Sequence, residues 1–245
     1  MASSLIAKSQ HAMYLVVIVI LMSCSFFISN YTGVIMDQNH LFSNPTMKLL
    51  DSLIRDDKAG VSETLNYGAD INESGVNGIT PLIYSVIQLN QPAVAALLKL
   101  GANPNIKQDD GYNALTAAYE LSRTAPLIME TLINSGQCDL NVLMPDDEPM
   151  LYYLVASGKL NFLEMALKKG ANPSLHTRGK RQLVIAAAII EEYDAVQLLL
   201  DAGASPIATD AAGTPLLEFV QTGAVQAIDP NGSKNKSRLR LLKRL

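Results

Sequence analysis

Tryptophan is absent from this 245-residue chain, aromatic residues make up only 6%, and cysteine occurs twice, at Cys24 and Cys138. With one cysteine in an apolar N-terminal run and the other far downstream, no disulfide framework can stabilise a small secreted scaffold. Histidine occurs three times, at His11, His40 and His176, and no pair has the helical spacing of metal ligands. There is no P-loop, no Gly-x-Ser-x-Gly and no dinucleotide fingerprint. Acid pairs such as Asp56-Asp57 and Glu191-Glu192 are adjacent in sequence and read as solvated charges. The chain is therefore expected not to be an enzyme, to bind no metal and to need no cofactor. Cys138 reads as a buried, inert thiol.

Positive charge is scarce except at one end. The net charge is −4, but six of the 19 basic residues lie from Lys234 onward, where there is no acid. What precedes them has 13 basic and 23 acidic residues, a net −10. Nucleic-acid binding depends on neutralising phosphates, so an acidic body argues against it. The tail sets Leu239, Leu241, Leu242 and Leu245 among its cations. It reads as a frayed end or a short helix packed on the preceding structure, with anionic lipid headgroups as the alternative contact.

Residues 12–29 form an apolar run without charge and follow an N-terminal stretch holding Lys8 and no acid. A basic segment before an apolar one reads as an export signal. Three outcomes stay open: a lipoprotein signal, an uncleaved anchor, for which 18 apolar residues are marginal against the usual ~20, and simple secretion. Leu21-Met22-Ser23-Cys24 resembles a bacterial lipobox, which implies lipidation at Cys24; Met22 departs from the usual small residue. Translation from Met36 or Met47 would give a shorter cytosolic form. Residues 1–29 are thus read as signal or anchor and 30–44 as a spacer, with Asn44-Pro45 as a helix start.

What the chain has in quantity is a repeated phrase. Gly68-Ala69-Asp70-Ile71-Asn72 returns as Gly101-Ala102-Asn103-Pro104-Asn105, Gly136-Gln137-Cys138-Asp139-Leu140-Asn141, Gly170-Ala171-Asn172-Pro173-Ser174 and Gly203-Ala204-Ser205-Pro206. The glycines are 33, 35, 34 and 33 residues apart. A period near 33 residues marks a stacked helical repeat. Thr80-Pro81-Leu82 and Thr214-Pro215-Leu216 supply helix starts at the matching phase, with degenerate copies at Asn113, Pro149 and Gln182. Apolar stripes such as Val94-Ala95-Ala96-Leu97-Leu98 need a neighbouring repeat to be buried. The third repeat has two extra residues near Ser122–Pro126, and the loop Leu143–Glu148 reads as irregular. Asp229-Pro230-Asn231-Gly232 interrupts any regular second helix and leaves a sixth repeat unfinished.

These motifs resemble ankyrin repeats over about residues 45–225. The resemblance implies an all-α ankyrin-repeat solenoid of about six helix-turn-helix repeats with short hairpin loops, spanning 45–227, with 228–245 as a basic tail. The histidine of the family motif is replaced by Ile83, Thr116, Tyr152, Ile185 and Leu217, which predicts modest stability. Ankyrin partners usually bind the hairpin tips and first helices. The positions implied here are the acidic tips Asp109, Asp110, Asp146, Asp147 and Glu148 and the basic tip Arg178 and Lys180. On the first helices they are Ile87, Gln88, Glu120, Leu121, Ile189 and Ile190.

An exported, membrane-anchored ankyrin array resembles the ankyrin-containing lipoprotein immunity proteins of type VI secretion lipase effectors. That resemblance implies a periplasm-facing inhibitor in the bacterial cell envelope. It would bind a secreted lipase-type or phospholipase effector as a monomer forming a one-to-one heterodimer. A periplasmic scaffold or stress-protection factor attached to an envelope complex is the alternative. The lipidation reading predicts that metabolic labelling with a fatty acid marks the protein and that Cys24→Ala abolishes the label; an unchanged label refutes it.

Overall fold

A computed structural model describes residues 41–223 and 229–245. The readings on Lys8, Cys24 and Met36 lie outside the described residues. Two compact units divide the chain, one ending at Asp139 and one running from Leu140 to Leu245. Among the described residues there are twelve α-helices and no named strand. None of these helices is long and apolar enough to cross a membrane.

The first unit holds α1 (Asn44–Ile54), α2 (Lys58–Asn66), α3 (Pro81–Ile87), α4 (Gln91–Lys99), α5 (Ala114–Leu121) and α6 (Pro126–Asn134). Helices pack within each pair, and α3 on α5 and α4 on α6 join successive pairs. Local chemistry sets several starts. Thr80 Oγ1 accepts from Ile83 N at 3.2 Å, and Pro81 sits in the first turn, where no N–H is needed. At α5, Asn113 and Thr116 form a reciprocal capping box. At α1 the expected cap moves back one residue, to Ser43. Its side chain does not cap the helix; its N–H and hydroxyl instead donate to the Glu73 carboxylate at 2.6 and 2.7 Å. Val94, Leu97 and Leu98 are all buried. The two extra residues of the third repeat lengthen the turn between α5 and α6, closed by the N–H groups of Thr124 and Ala125 on Leu121 C=O.

The second unit holds α7 (Met150–Ala156), α8 (Leu160–Lys168), α9 (Leu183–Ile189), α10 (Tyr193–Asp201), α11 (Leu216–Gln221) and α12 (Ser233–Arg244). First helices α7, α9 and α11 pack in succession, as do second helices α8, α10 and α12. Thr214 matches the helix-start motif but does not cap. The N-cap of α11 is Pro215, and Thr214 N donates to Asp210 at 2.8 Å instead.

The recurrent phrase has a mechanical explanation. Its Asp or Asn closes a local turn: Asp70 on Asn72, Asn103 on Asn105, Asn172 on Ser174. Its final Asn reaches the next repeat. Asn72 Oδ1 accepts from Asn103 N at 2.8 Å, Asn105 from Asp139 N at 2.7 Å, and Asn141 from Asn172 N at 2.8 Å. Ser174 stands at the corresponding position of the following repeat.

Two expectations are corrected. Leu143–Glu148 is not irregular. Met144 N donates to Glu148 C=O, as Thr177 N does to Arg181 C=O and Asp210 N to Thr214 C=O. Positive φ falls at Asp147, Lys180 and Gly213, at the repeat interval. The sixth repeat is also not left unfinished, because α12 resumes after Gly232 and packs on α10 and α11.

The buried Arg238 fastens this helix. Its guanidinium donates to Val220 C=O at 2.7 Å, Gln221 C=O at 2.8 Å and Asn235 Oδ1 at 3.1 Å. It thereby satisfies carbonyls that α11 leaves open at its C-terminal end. Lys234 pairs with Glu192 at 2.7 Å, and Arg244 with Asp201. These two pairs are solvent-exposed, and such pairs contribute only ~0–1 kcal/mol each. Arg238 therefore dominates. Arg238→Ala is expected to lower unfolding free energy by about 3 kcal/mol, with no rescue by Arg238→Lys. Urea unfolding checks this; a loss below about 1 kcal/mol would show that α12 is held by something else.

Candidate functional site

Each hairpin tip has a left-handed residue at its fourth position, and the first tip has a second at Asn77. In the first unit the fourth position is Gly78 and Gly111; in the second it is Asp147, Lys180 and Gly213. Glycine adopts this conformation freely, whereas a side chain there costs about 1 kcal/mol. Two charged residues thus stand in strained positions on adjacent tips, and both are exposed.

The predicted residues fall on both units. In the first, Asp109 and Asp110 are exposed on the tip, where the Asp110 carboxylate accepts from Tyr112 N at 3.2 Å. Ile87, Gln88 and Leu121 are half-buried. Glu120 differs from expectation: it is only 6% exposed, so its carboxylate is not on the solvent face. It ends a run of seven consecutive buried residues in α5, Ala114 to Glu120.

In the second unit, Asp146 is exposed but engaged. It accepts from Tyr153 OH at 2.5 Å and from Glu148 N at 3.3 Å. Glu148 in turn accepts from the backbone N–H of Arg178 at 2.9 Å, and Arg178 Nη1 donates to Asp146 C=O at 3.1 Å. Two tips are therefore clipped together. Asp147 and Lys180 are exposed beside this clip, and Ile189 and Ile190 are half-buried on the helix behind.

Three further residues join the set. Tyr152 stacks edge-to-face on Tyr153 with ring centroids 6.0 Å apart. Burial pushes the Tyr152 phenol up, Glu148 adds to this and Arg181 opposes it. Asp210 is held below the usual carboxylate range by the Thr214 backbone N–H first, then by Ala212 N and the charge of Arg181. Arg181, Tyr152 and Asp210 were legible only by reading charge and aromatics along the repeat interval, tip by tip.

The first unit has two open depressions, of about 520 Å³ beside Gln91, Leu98 and Leu127 and about 540 Å³ beside Lys48, Arg55 and Tyr67. Neither is lined by histidine or cysteine. No group of three or more His, Cys, Asp or Glu could hold a metal ion among the described residues. The Cys138 thiol donates to Leu132 C=O at 3.3 Å, and burial pushes its pKa up to about 12. It stays protonated near neutrality and is a poor nucleophile.

Repeated helix pairs, a left-handed residue at each tip and an asparagine rung between tips together define the architecture. The fold is that of ankyrin repeats. Residues 77–109 match the ankyrin repeat family model. The chain is similar to the ankyrin repeat domain of Bcl-3, a member of the IkappaB protein family, with TM-score 0.59 and 22% identity over 80% of this chain and 85% of that one. It is also similar to an ankyrin repeat domain from Acinetobacter baumannii, with TM-score 0.59 and 20% identity over 78% and 96% of the two chains. A chain from the complex of the Bdellovibrio bacteriovorus predatory endopeptidase Bd0816 with immunity protein Bd3460 matches at TM-score 0.54 and 20% identity, covering 79% and 97%. Among curated proteins, human mitochondrial disaggregase is 25% identical over 76% of this chain and bovine mitochondrial disaggregase 27% over 69%. The chain spans only 26% and 20% of the length of those two relatives. Ankyrin arrays present extended surfaces to other macromolecules.

The engaged and strained tip residues separate under mutation. Asp146→Ala is expected to cost about 1–2 kcal/mol of stability, because Tyr153 OH and Glu148 N lose their acceptor. Asp147→Gly is expected to add about 0.5–1 kcal/mol by relieving the left-handed strain. Thermal unfolding of both variants is the check; a loss on Asp147→Gly would refute the strain assignment.

Proposed function

We propose that this protein is a non-enzymatic, protein-binding ankyrin module that acts as an immunity protein. It is exported to the bacterial cell envelope and held at the membrane, by lipid on Cys24 or by an uncleaved N-terminal helix, with its repeats facing the periplasm. There it neutralises a secreted lipase-type effector stoichiometrically, by covering or distorting that enzyme's active site. One observation supports this reading above the others. The second unit presents a pre-ordered, charged tip surface with no catalytic grouping, on a fold shared with a chain of an endopeptidase–immunity protein complex. Inhibition by occupation needs a rigid surface, since ordering on binding subtracts from affinity.

Purified full-length protein is expected to abolish the activity of a lipase-type effector from the same producer at about one-to-one stoichiometry, with dissociation too tight to resolve above nanomolar concentrations. Undiminished lipase activity in the presence of excess protein overturns the reading.

A further inference from the structure

The hairpin of residues 176–181 carries a density of positive charge that its backbone closure does not require. Its sequence is His176-Thr177-Arg178-Gly179-Lys180-Arg181, and its three Arg and Lys residues are exposed. They stand out in a chain that is net −10 before the terminal helix. The hairpin is closed by the His176–Gln182 bridge and by Thr177 N donating to Arg181 C=O at 2.8 Å. None of the three cations is needed for that closure through its side chain.

Each neighbouring tip carries the opposite sign. Glu148 and Asp147 lie on one side, and Glu148 accepts directly from Arg178 N. Asp210 lies on the other, close enough for Arg181 to act on its carboxyl. The order across three tips is acidic, basic, acidic. Arg178 is already ordered, since its Nη1 is tied to Asp146 C=O at 3.1 Å. A guanidinium fixed in advance loses less freedom when it grips a carboxylate with its remaining donors. Lys180 is held at φ 59°, where the corresponding residue one repeat later is Gly213. Lys180 therefore adds a charge at a position that is uncharged one repeat later.

We propose that this basic hairpin docks an acidic segment of a protein partner, and that cations beside that segment meet Glu148 and Asp210. The inference rests on the reading that this chain binds a protein, and it specifies the chemistry of the partner. Adjacent ankyrin tips are separated by about one helix-packing distance, ~10 Å. That is comparable to the ~8 Å Debye length at physiological salt, so the flanking acids are felt beside the cations. A uniform polyanion, whether a nucleic acid or an anionic bilayer, meets repulsion on both sides. A mixed-charge protein segment matches all three tips.

The test uses the full-length protein and a labelled synthetic peptide with a glutamate run flanked by lysines. The controls are an all-glutamate peptide, phosphatidylglycerol vesicles and a single-stranded oligonucleotide. The mixed peptide is expected to bind best, and the Arg178→Glu/Arg181→Glu variant to weaken it about tenfold or more. Raising salt to about 0.5 M should weaken it too. Arg178→Lys should give an intermediate loss, because it keeps the charge and loses the fork. Equal or tighter binding of any control, unchanged binding by a folded double variant, or no binding of the mixed peptide overturns the inference. Circular dichroism confirms that the variants are folded. The outcome is independent of the lipase titration: inhibition that survives Arg178→Glu/Arg181→Glu would leave the immunity reading standing and remove only this docking element.

Discussion

Each helix pair of this protein carries more apolar surface than it can bury by itself, and the remaining features follow from that constraint. Leu97, Leu132, Leu163 and Leu199 sit on second helices and are fully buried. Each lies in a helix that packs on the corresponding helix of a neighbouring repeat, α4 on α6 and α8 on α10. A buried leucine contributes roughly 1.5–3 kcal/mol, so the interfaces between repeats outweigh any hydrogen bond in the loops. The asparagine rungs have a different role. A net bond of about 1 kcal/mol adds little stability, but it fixes the register of one tip against the next. Tips held in register are what allow a row of side chains to face a partner together.

An array built this way has a problem at its ends, where the last stripe has no neighbour. At the C-terminal end the answer is α12. Its buried side, with Leu241 and Arg238, covers α10 and α11, and its outer side carries Lys236, Leu239 and Lys243. Four of the six terminal cations are thus bound within the fold: Lys234, Arg238, Arg240 and Arg244. The Arg240–Asp194 contact is long at 4.0 Å and exposed, so it adds little. Capping repeats with a polar outer face are a general need of such arrays, and here the cap is built from cations because the helix it covers carries Glu192, Asp194 and Asp201.

The period, the glycine turns and the all-helical architecture were legible because they arise from local chemistry repeated at a fixed interval. A capping Thr80, a proline in the first turn and a glycine at positive φ act within a few residues of themselves. What could not be read were interactions across one repeat or more. Lys234 and Glu192 are 42 residues apart, and Arg244 and Asp201 are 43 apart. Nothing local marks them as partners, so the sequence leaves a frayed end and a short packed helix both open for the tail, and the structure shows the packed helix. The loop before Pro149 read as irregular for a similar reason. Asp147 occupies a site where glycine is the usual signal, and only the backbone shows that the turn is the same as at Gly213. Glu120 was misplaced because its helix position alone does not tell which side of α5 is covered. Of the candidate surface, Arg178, Lys180 and Asp146 were legible as exposed charges, whereas the clip that orders them was not.

The division of labour between stacking and tips bears on function. Stacking tolerates any apolar residue of about the right size, so the helices can hold the architecture while saying little about the partner. The tips have the opposite character. Their backbone is set by the turn, so their side chains are free to vary without unfolding the repeat. At Asp147 and Lys180 the left-handed position of the tip carries a charge, as Asp56 and Glu191 do in turns between helices. The same two tips are joined by Glu148, Arg178 and Asp146. Strain and rigidity therefore coincide on one charged surface of the second unit. A pre-ordered charged surface loses little freedom on contact, which suits such tips better than packed helices to recognition.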